Sequence, residues 1–167
     1  MQQEKIYHVL VICTGNSARS ILAEVLFNTY GRGRFVAWSA GSKPAGQVNP
    51  FALELLQQSG HSTEGLRSKS WDEFAAPGAP DLDFIFTVCD NAAGETCPTW
   101  PGMPATAHWG IPDPVQVGGS DEAKRAAFKK AYEQLARRIQ LFMSLPLDKI
   151  DKLTLKQKLA DIGKLKD

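Results

Sequence analysis

Apolar residues gather in four short runs suited to buried strands, Tyr7 to Ile12, Phe35 to Ala40, Phe84 to Val88 and Ala105 to Trp109, separated by helical or irregular sequence. That alternation predicts a parallel sheet covered by helices. The first helix is expected from Ser17 to Tyr30, with Leu22, Val25, Leu26 and Thr29 on one face, Glu24 and Asn28 turned elsewhere, and Gly31 and Gly33 stopping it. A second, from Asn49 to Ser59, carries Phe51, Leu53, Leu55 and Leu56 and ends before Gly60. Ser70-Trp71-Asp72-Glu73 has the spacing of a capping box and predicts a short third helix.

The longest helix is expected after Ser120, with Asp121 and Glu122 in its first turn and Phe128, Ala131, Leu135, Ile139 and Phe142 at helical spacing. Its basic opposite face is expected to be solvated. Between Asp90 and Pro104, two Gly and three Pro interrupt any periodic pattern, and a long irregular stretch inside a domain is more often functional than connective. Beyond Pro146, Ile150, Leu153, Leu155, Leu159, Ile162 and Leu165 alternate with lysines and predict an amphipathic helix. The expected division is a main domain over residues 1–145 and a helical extension over 146–167.

The 167 residues suit one domain of common size, and 43% apolar with 22% charged residues is ordinary globular composition. A net charge of +1 gives no reason to expect a nucleic acid or another polyanion, so any affinity for anions must be local. The four tryptophans are scattered rather than interleaved with a basic stripe, which favours packing over base stacking. Residues 1–5 lead straight into a strand-like run without a long apolar segment, so we expect a cytoplasmic monomer with no membrane span. Three cysteines are too few, and odd in number, for a disulfide scaffold.

The position of one cysteine is informative. Cys13-Thr14-Gly15-Asn16-Ser17-Ala18-Arg19-Ser20 follows the first strand and opens the first helix. A helix start leaves backbone N–H groups unpaired at the positive end of the macrodipole, and both features attract an anion. Gly15 frees the backbone, while Thr14, Asn16, Ser17 and Ser20 add short polar groups and Ala18 a small one. Arg19 offers a bidentate fork to two oxygens. The same field can lower a thiol from ~8.5 to roughly 3.5–7.5, so Cys13 is expected to serve as a thiolate at neutral pH. An isolated cysteine here would read as a packed strand-end residue. With Gly, Asn, Ser and Arg at these spacings, the segment reads as a cradle for a tetrahedral oxyanion carrying a sulfur nucleophile.

Val11 to Ser20, with Asp113-Pro114 far downstream, resembles the low-molecular-weight protein tyrosine phosphatase superfamily, and within it the arsenate reductases that share the fold. The likeness runs from about Tyr7 to Phe142. It implies an α/β, flavodoxin-like three-layer sandwich with a four-stranded parallel sheet, in which Cys13 attacks the oxyanion and Asp113 is the general acid. The residues around Asp113 agree: Pro112 and Pro114 stiffen the backbone on both sides of one carboxylate, and a loop after the fourth strand lies at the same sheet edge as one after the first. Standing alone, Asp-Pro would read as a turn opener.

A phosphatase needs one cysteine, whereas arsenate can accept two electrons and so brings further thiols into play. Cys89 follows the third strand, and Cys97 lies in the irregular stretch beyond it, with seven residues intervening. The resemblance implies that a second thiol attacks Cys13 and expels arsenite, and that oxidation moves from Cys13–Cys89 to Cys89–Cys97. The alternatives for these residues are a packed strand end, an incidental loop thiol, or a zinc site with His61 and His108 whose spacing fits no standard ligand pattern. Where many relatives place a second cysteine before the loop arginine, this chain has Ala18. Where phosphatases place a tyrosine after Asp-Pro, it has Val115 and Gln116.

The expected activity is thiol-dependent reduction of arsenate, with phosphate or sulfate as substrate analogues. No bound cofactor is expected, and the electron donor is either thioredoxin or the glutathione/glutaredoxin couple. The alternatives are a phosphomonoesterase and a non-catalytic oxyanion-binding module. Some arsenate reductases of this fold hold a potassium ion near the cradle, and Asn16, Glu24 and Ser39 match three of its ligands.

Overall fold

The computed structural model describes residues 5–88 and 104–165. Strands β1 (Tyr7–Cys13), β2 (Phe35–Gly41), β3 (Phe84–Thr87) and β4 (Ala105–His108) form one sheet in the order β2-β1-β3-β4. Every pairing is parallel, with Val9 opposite Ala37 on one side and Phe84 on the other. This is the flavodoxin-like order, and its reversal lies between β1 and β3. Loops leaving the carboxyl ends of those two strands diverge there and open a crevice.

Helices α1 (Arg19–Gly31), α2 (Pro50–Gln58) and α4 (Asp121–Met143) cover one face, and α3 (Asp72–Ala75) packs on the other. Phe35 meets Phe142 of α4 at 5.5 Å between ring centroids, while Trp38, an odd number of residues along β2, meets Phe74 of α3 at 6.1 Å. The result is a three-layer sandwich. Phe27, Phe84, Phe86, Trp109 and Phe142 form its aromatic centre, with Phe86 and Trp109 only 4.1 Å apart. Among the described residues, no helix is long and apolar enough to cross a membrane.

Helix α4 follows its sequence pattern closely. All five predicted residues from Phe128 to Phe142 are buried, and Ser120 caps the helix by accepting from the Ala123 N–H at 3.1 Å. Its basic face is not wholly solvated, however, because Arg138 is buried and donates to the carbonyls of Gln134 and Leu165. Asn49 caps α2 through Phe51 N–H at 2.9 Å, ahead of Pro50.

Several boundaries differ from expectation for local reasons. Helix α1 begins at Arg19 rather than Ser17 because residues 14–18 are held as a loop. At its other end Gly31 is the last helical residue, and the left-handed turn falls on Arg32 at φ 47°. Gly31 is needed for contact, since a Cβ there would sit 2.8 Å from Cβ of Phe35. The capping box at Ser70 does not form. Ser70 Oγ accepts from Asp72 N–H at 3.1 Å, and the Glu73 carboxylate turns to Arg67. That pairing pushes the Glu73 carboxyl below its ordinary value through the Arg67 hydrogen bond, but the pair is solvent-exposed and adds little to stability.

Helix α5 (Lys152–Gly163) lies against β4, with Leu159 and Ile162 buried in the main core. Asp151 caps it through the Thr154 N–H at 2.8 Å. Leu153, counted with the apolar face by sequence, is 80% exposed because it falls in the first turn, before the helix reaches the sheet.

Candidate active site

At the carboxyl end of β1, five residues separate Cys13 from Arg19 at the start of α1. Three of their backbone carbonyls are drawn outward. Thr14 O accepts from Lys43 N–H at 3.0 Å, Gly15 O from Ala45 N–H at 2.9 Å and Ser68 Oγ at 3.1 Å, and Ser17 O from Asn49 N–H at 2.9 Å. In a trans peptide the next residue's N–H points opposite to the carbonyl, so the amides of residues 15, 16 and 18 turn away from those partners, toward the pocket. The loop expected as a cradle is thus held by an outer ring of donors that the motif does not reveal.

Asn16 sets the curvature. It adopts the left-handed conformation at φ 46°, which asparagine tolerates better than other residues with a side chain. It is fully buried, donating from Nδ2 to Ser20 Oγ at 2.8 Å and accepting at Oδ1 from Lys69 N–H at 2.9 Å. Ser20, expected with the substrate-binding loop, stands behind it as a buried brace and is not among the residues lining the pocket.

Gly41, at the end of β2, presses on the same loop. An added Cβ would lie 3.0 Å from Cys13 O and 3.0 Å from Cβ of Asn16, with Thr14 O nearer still. The two carbonyl oxygens are backbone and cannot yield cheaply. Gly41→Ala is expected to lose about 1–3 kcal/mol in urea denaturation and to weaken phosphate affinity measured by titration calorimetry, because the loop must shift to admit the methyl group.

Arg19 gathers the rest of the site. Its Nη1 donates to Ile111 O at 2.9 Å and, more weakly, to Val88 O at 3.4 Å, while Nη2 lies 3.4 Å from Asp113 Oδ2. One guanidinium thus touches the segments that leave β1, β3 and β4. Asp113 is fixed as the cap of a 3-10 turn, Pro114–Gln116, with Oδ1 accepting from Val115 N–H at 2.9 Å. The resulting cavity measures about 280 Å³ and is lined by residues 13–19 together with Asp113, Val115 and Gln116.

Cys13, the loop, Arg19 and Asp113, far apart in sequence, therefore meet around one pocket. Cys89 and Cys97 lie outside the described residues. The chain reaches the first of them from Val88, whose N–H donates to Ile12 O at 3.0 Å and whose carbonyl faces Arg19. His61 is engaged by Tyr132 at 2.8 Å, and His108 by Thr87 at 2.8 Å.

Behind the loop sits an ionic group that the motif does not reveal. Ser39 Oγ donates to Glu24 Oε1 at 2.8 Å, and the Lys69 ammonium lies 3.6 Å from the same oxygen, both side chains being largely buried. Glu24 is not turned away from the core as its helix position suggests. The residues present do not fit a potassium ion at Asn16, Glu24 and Ser39. Both ends of the Asn16 carboxamide are committed to Ser20 and Lys69, and Lys69 delivers from within the chain the positive charge that Glu24 faces.

Burial pushes the Lys69 amine below its ordinary value, and Glu24 opposes that shift. Lys69→Met would strand the Glu24 carboxylate, so a loss of about 3 kcal/mol is expected, with Glu24→Gln in the same chain recovering much of it. Because the unfolded chain holds the Lys69 proton more tightly than the folded one, the stability gap between wild type and Lys69→Met is expected to widen as pH rises from the lowered value toward the ordinary one. Urea denaturation at several alkaline pH values reads this directly.

The sequence matches the family described as low molecular weight phosphotyrosine protein phosphatase over residues 8–156. It is 33% identical to an arsenate reductase of Halalkalibacterium halodurans over 142 residues, covering 85% of this chain and 96% of that protein. It is also 31% identical to an arsenate reductase of Bacillus subtilis over 142 residues, with the same 85% and 96% coverage. A solved arsenate reductase in its phosphate-binding state superposes with a TM-score of 0.62 at 26% identity, covering 81% of this chain and 98% of that one. With the strand order, the cradle and Asp113 already in place, these matches show that the chain belongs to the low molecular weight phosphotyrosine protein phosphatase family.

Proposed function

We propose that this protein reduces arsenate to arsenite. The observation that carries the reading is the convergence of Cys13, the cradle amides, Arg19 and Asp113 on one pocket. Arsenate reductases among the relatives, matched over nearly their whole length, support the choice of arsenate over a phosphate ester.

The cradle and Arg19 hold the oxyanion while the Cys13 thiolate attacks arsenic. A sulfur–arsenic bond forms, an arsenic–oxygen bond breaks, and Asp113 protonates the departing hydroxide to water. Cys89 then attacks Cys13 sulfur as a thiolate. A disulfide forms, the sulfur–arsenic bond breaks, and its electron pair stays on arsenic, which leaves as arsenite. Cys97 attacks Cys89 in turn, freeing Cys13 and leaving a Cys89–Cys97 disulfide for an external dithiol to reduce. Thioredoxin and the glutathione/glutaredoxin couple both supply that chemistry, and the chain works as a monomer in a reducing compartment, the cytoplasm.

A single turnover of the reduced protein with arsenate, followed by peptide mass spectrometry without reductant, tests the relay. The expected products are one arsenite per protein and a Cys89–Cys97 bond, replaced by Cys13–Cys89 in Cys97→Ser. Aryl-phosphate hydrolysis that survives Cys89→Ser and Cys97→Ser, without any thiol-dependent loss of arsenate, would overturn the reading in favour of a phosphomonoesterase.

A further inference from the structure

The acid Asp113 lies four residues beyond Trp109 on the segment leaving β4, and among the described residues this segment has few backbone ties to the sheet. Trp109 N–H donates to Thr87 O at 2.7 Å, Ile111 N–H donates to Val88 O at 3.3 Å, and Arg19 holds the Ile111 carbonyl. Its main anchor is the Trp109 side chain, 1% exposed and packed among Phe27, Phe86 and Phe142.

Helix α5 closes over that anchor. The indole Nε1 donates to Leu159 O at 3.0 Å, using the lone pair that a helical carbonyl has to spare. One turn later Gly163 rests directly on the strand end, where a Cβ would lie 2.6 Å from His108 O and 2.9 Å from Cδ1 of Trp109. Buried Arg138 of α4 ties the end of this helix down through Leu165 O at 2.9 Å. Leu159 and Gly163 both follow residue 156, where the family match stops.

We propose that α5 is a brace for the acid loop, in which Leu159 and Gly163 fix Trp109 and Trp109 acts as the positioning residue that sets the height of Asp113 over Cys13. The cradle backbone is shaped by bonds from Lys43, Ala45, Asn49, Ser68 and Lys69, none of which lies on this helix, while the Arg19 side chain links the cradle to the acid loop. Loosening the brace therefore slows the protonation-dependent step and spares oxyanion binding. The role of Asp113 as acid rests on the function proposed above, while the mechanical coupling does not.

Two full-length variants test it. Gly163→Val forces the helix away from His108 and Trp109, and Trp109→Phe keeps an aromatic ring while removing the indole donor. Amide hydrogen exchange reads the coupling without any turnover. In both variants the Ile111 and Val115 amides are expected to exchange at least ~10-fold faster, while those of Lys43, Ala45 and Asn49 keep their protection. Single-turnover arsenate reduction is expected to slow ~10-fold or more with unchanged phosphate affinity, and to fall no further when Gly163→Val is added to Asp113→Asn.

Unchanged exchange at Ile111 and Val115, or an equal loss of protection in the cradle, overturns the brace. So does a rate loss that simply adds to that of Asp113→Asn. If exchange responds as expected but the wild-type protein leaves arsenate untouched, the brace stands and the arsenate reading fails.

Discussion

Cys13→Ser is expected to abolish arsenate turnover, by ~10⁴-fold or more, while phosphate still binds. An alcohol is far less acidic than a thiol, so oxygen at position 13 carries no charge at neutral pH and attacks arsenic poorly. It also cannot pass electrons onward, because every later step in the proposed sequence is an exchange at sulfur. Binding survives for a structural reason. The loop is shaped by the bonds from Lys43, Ala45, Asn49 and Ser68 to its carbonyls and by Asn16 beneath it, none of which involves the Cys13 side chain. Titration calorimetry with phosphate, set beside a single-turnover assay, separates the two properties. Residual turnover within tenfold of wild type would remove Cys13 from the chemistry.

Arg19→Lys is expected to cost ~10²–10³-fold in kcat/KM, the second-largest effect. A lysine preserves the charge, so a purely Coulombic role would be spared. The arginine, however, spans Ile111 O and Asp113 with two different nitrogens of one planar group, and has further donors for an oxyanion. A single ammonium cannot reach both segments and a ligand together. The loss should appear in kcat as well as KM, because Asp113 loses the contact that ties its loop to α1. Stability should fall by about 1–2 kcal/mol as the Ile111 carbonyl loses its donor. A rise in KM alone would restrict Arg19 to holding the substrate.

The parts of this molecule that could be read in advance are those in which neighbouring residues decide the structure. Helix α4 has a cap at Ser120, acidic residues in its first turn and an apolar stripe at constant spacing, and it folds as that pattern dictates. The Cys13 to Arg19 segment was legible for the same reason, since a strand, a glycine and a helix start are contiguous signals. Asp113 needed only one long-range assumption, that parallel strands deliver their loops to a common edge.

What escaped prediction depends on partners distant in sequence. Lys69 looks like a surface lysine beside Ser68 and Ser70, and only the fold brings Glu24 and Ser39 to it. Arg138 belongs to a run that reads as solvated, and its burial follows from the approach of Leu165. Gly41 gives no sign of crowding until β1 and β2 pair. Ser20 shares the loop's polar character yet faces inward, because Asn16 claims its hydroxyl. Glu73 was matched to a capping box on spacing alone, and Arg67 offered it a stronger partner.

The all-parallel arrangement described above also divides the molecule into a working rim and an idle one. Everything proposed to react leaves from the carboxyl ends of the strands, whereas the turn from α1 into β2, through Arg32 and Gly33, emerges at the opposite end in solvent. An affinity tag or fluorescent reporter spliced in at Gly33 would sit a full strand length from the pocket, which makes that turn the natural handle for immobilising the protein without touching its chemistry.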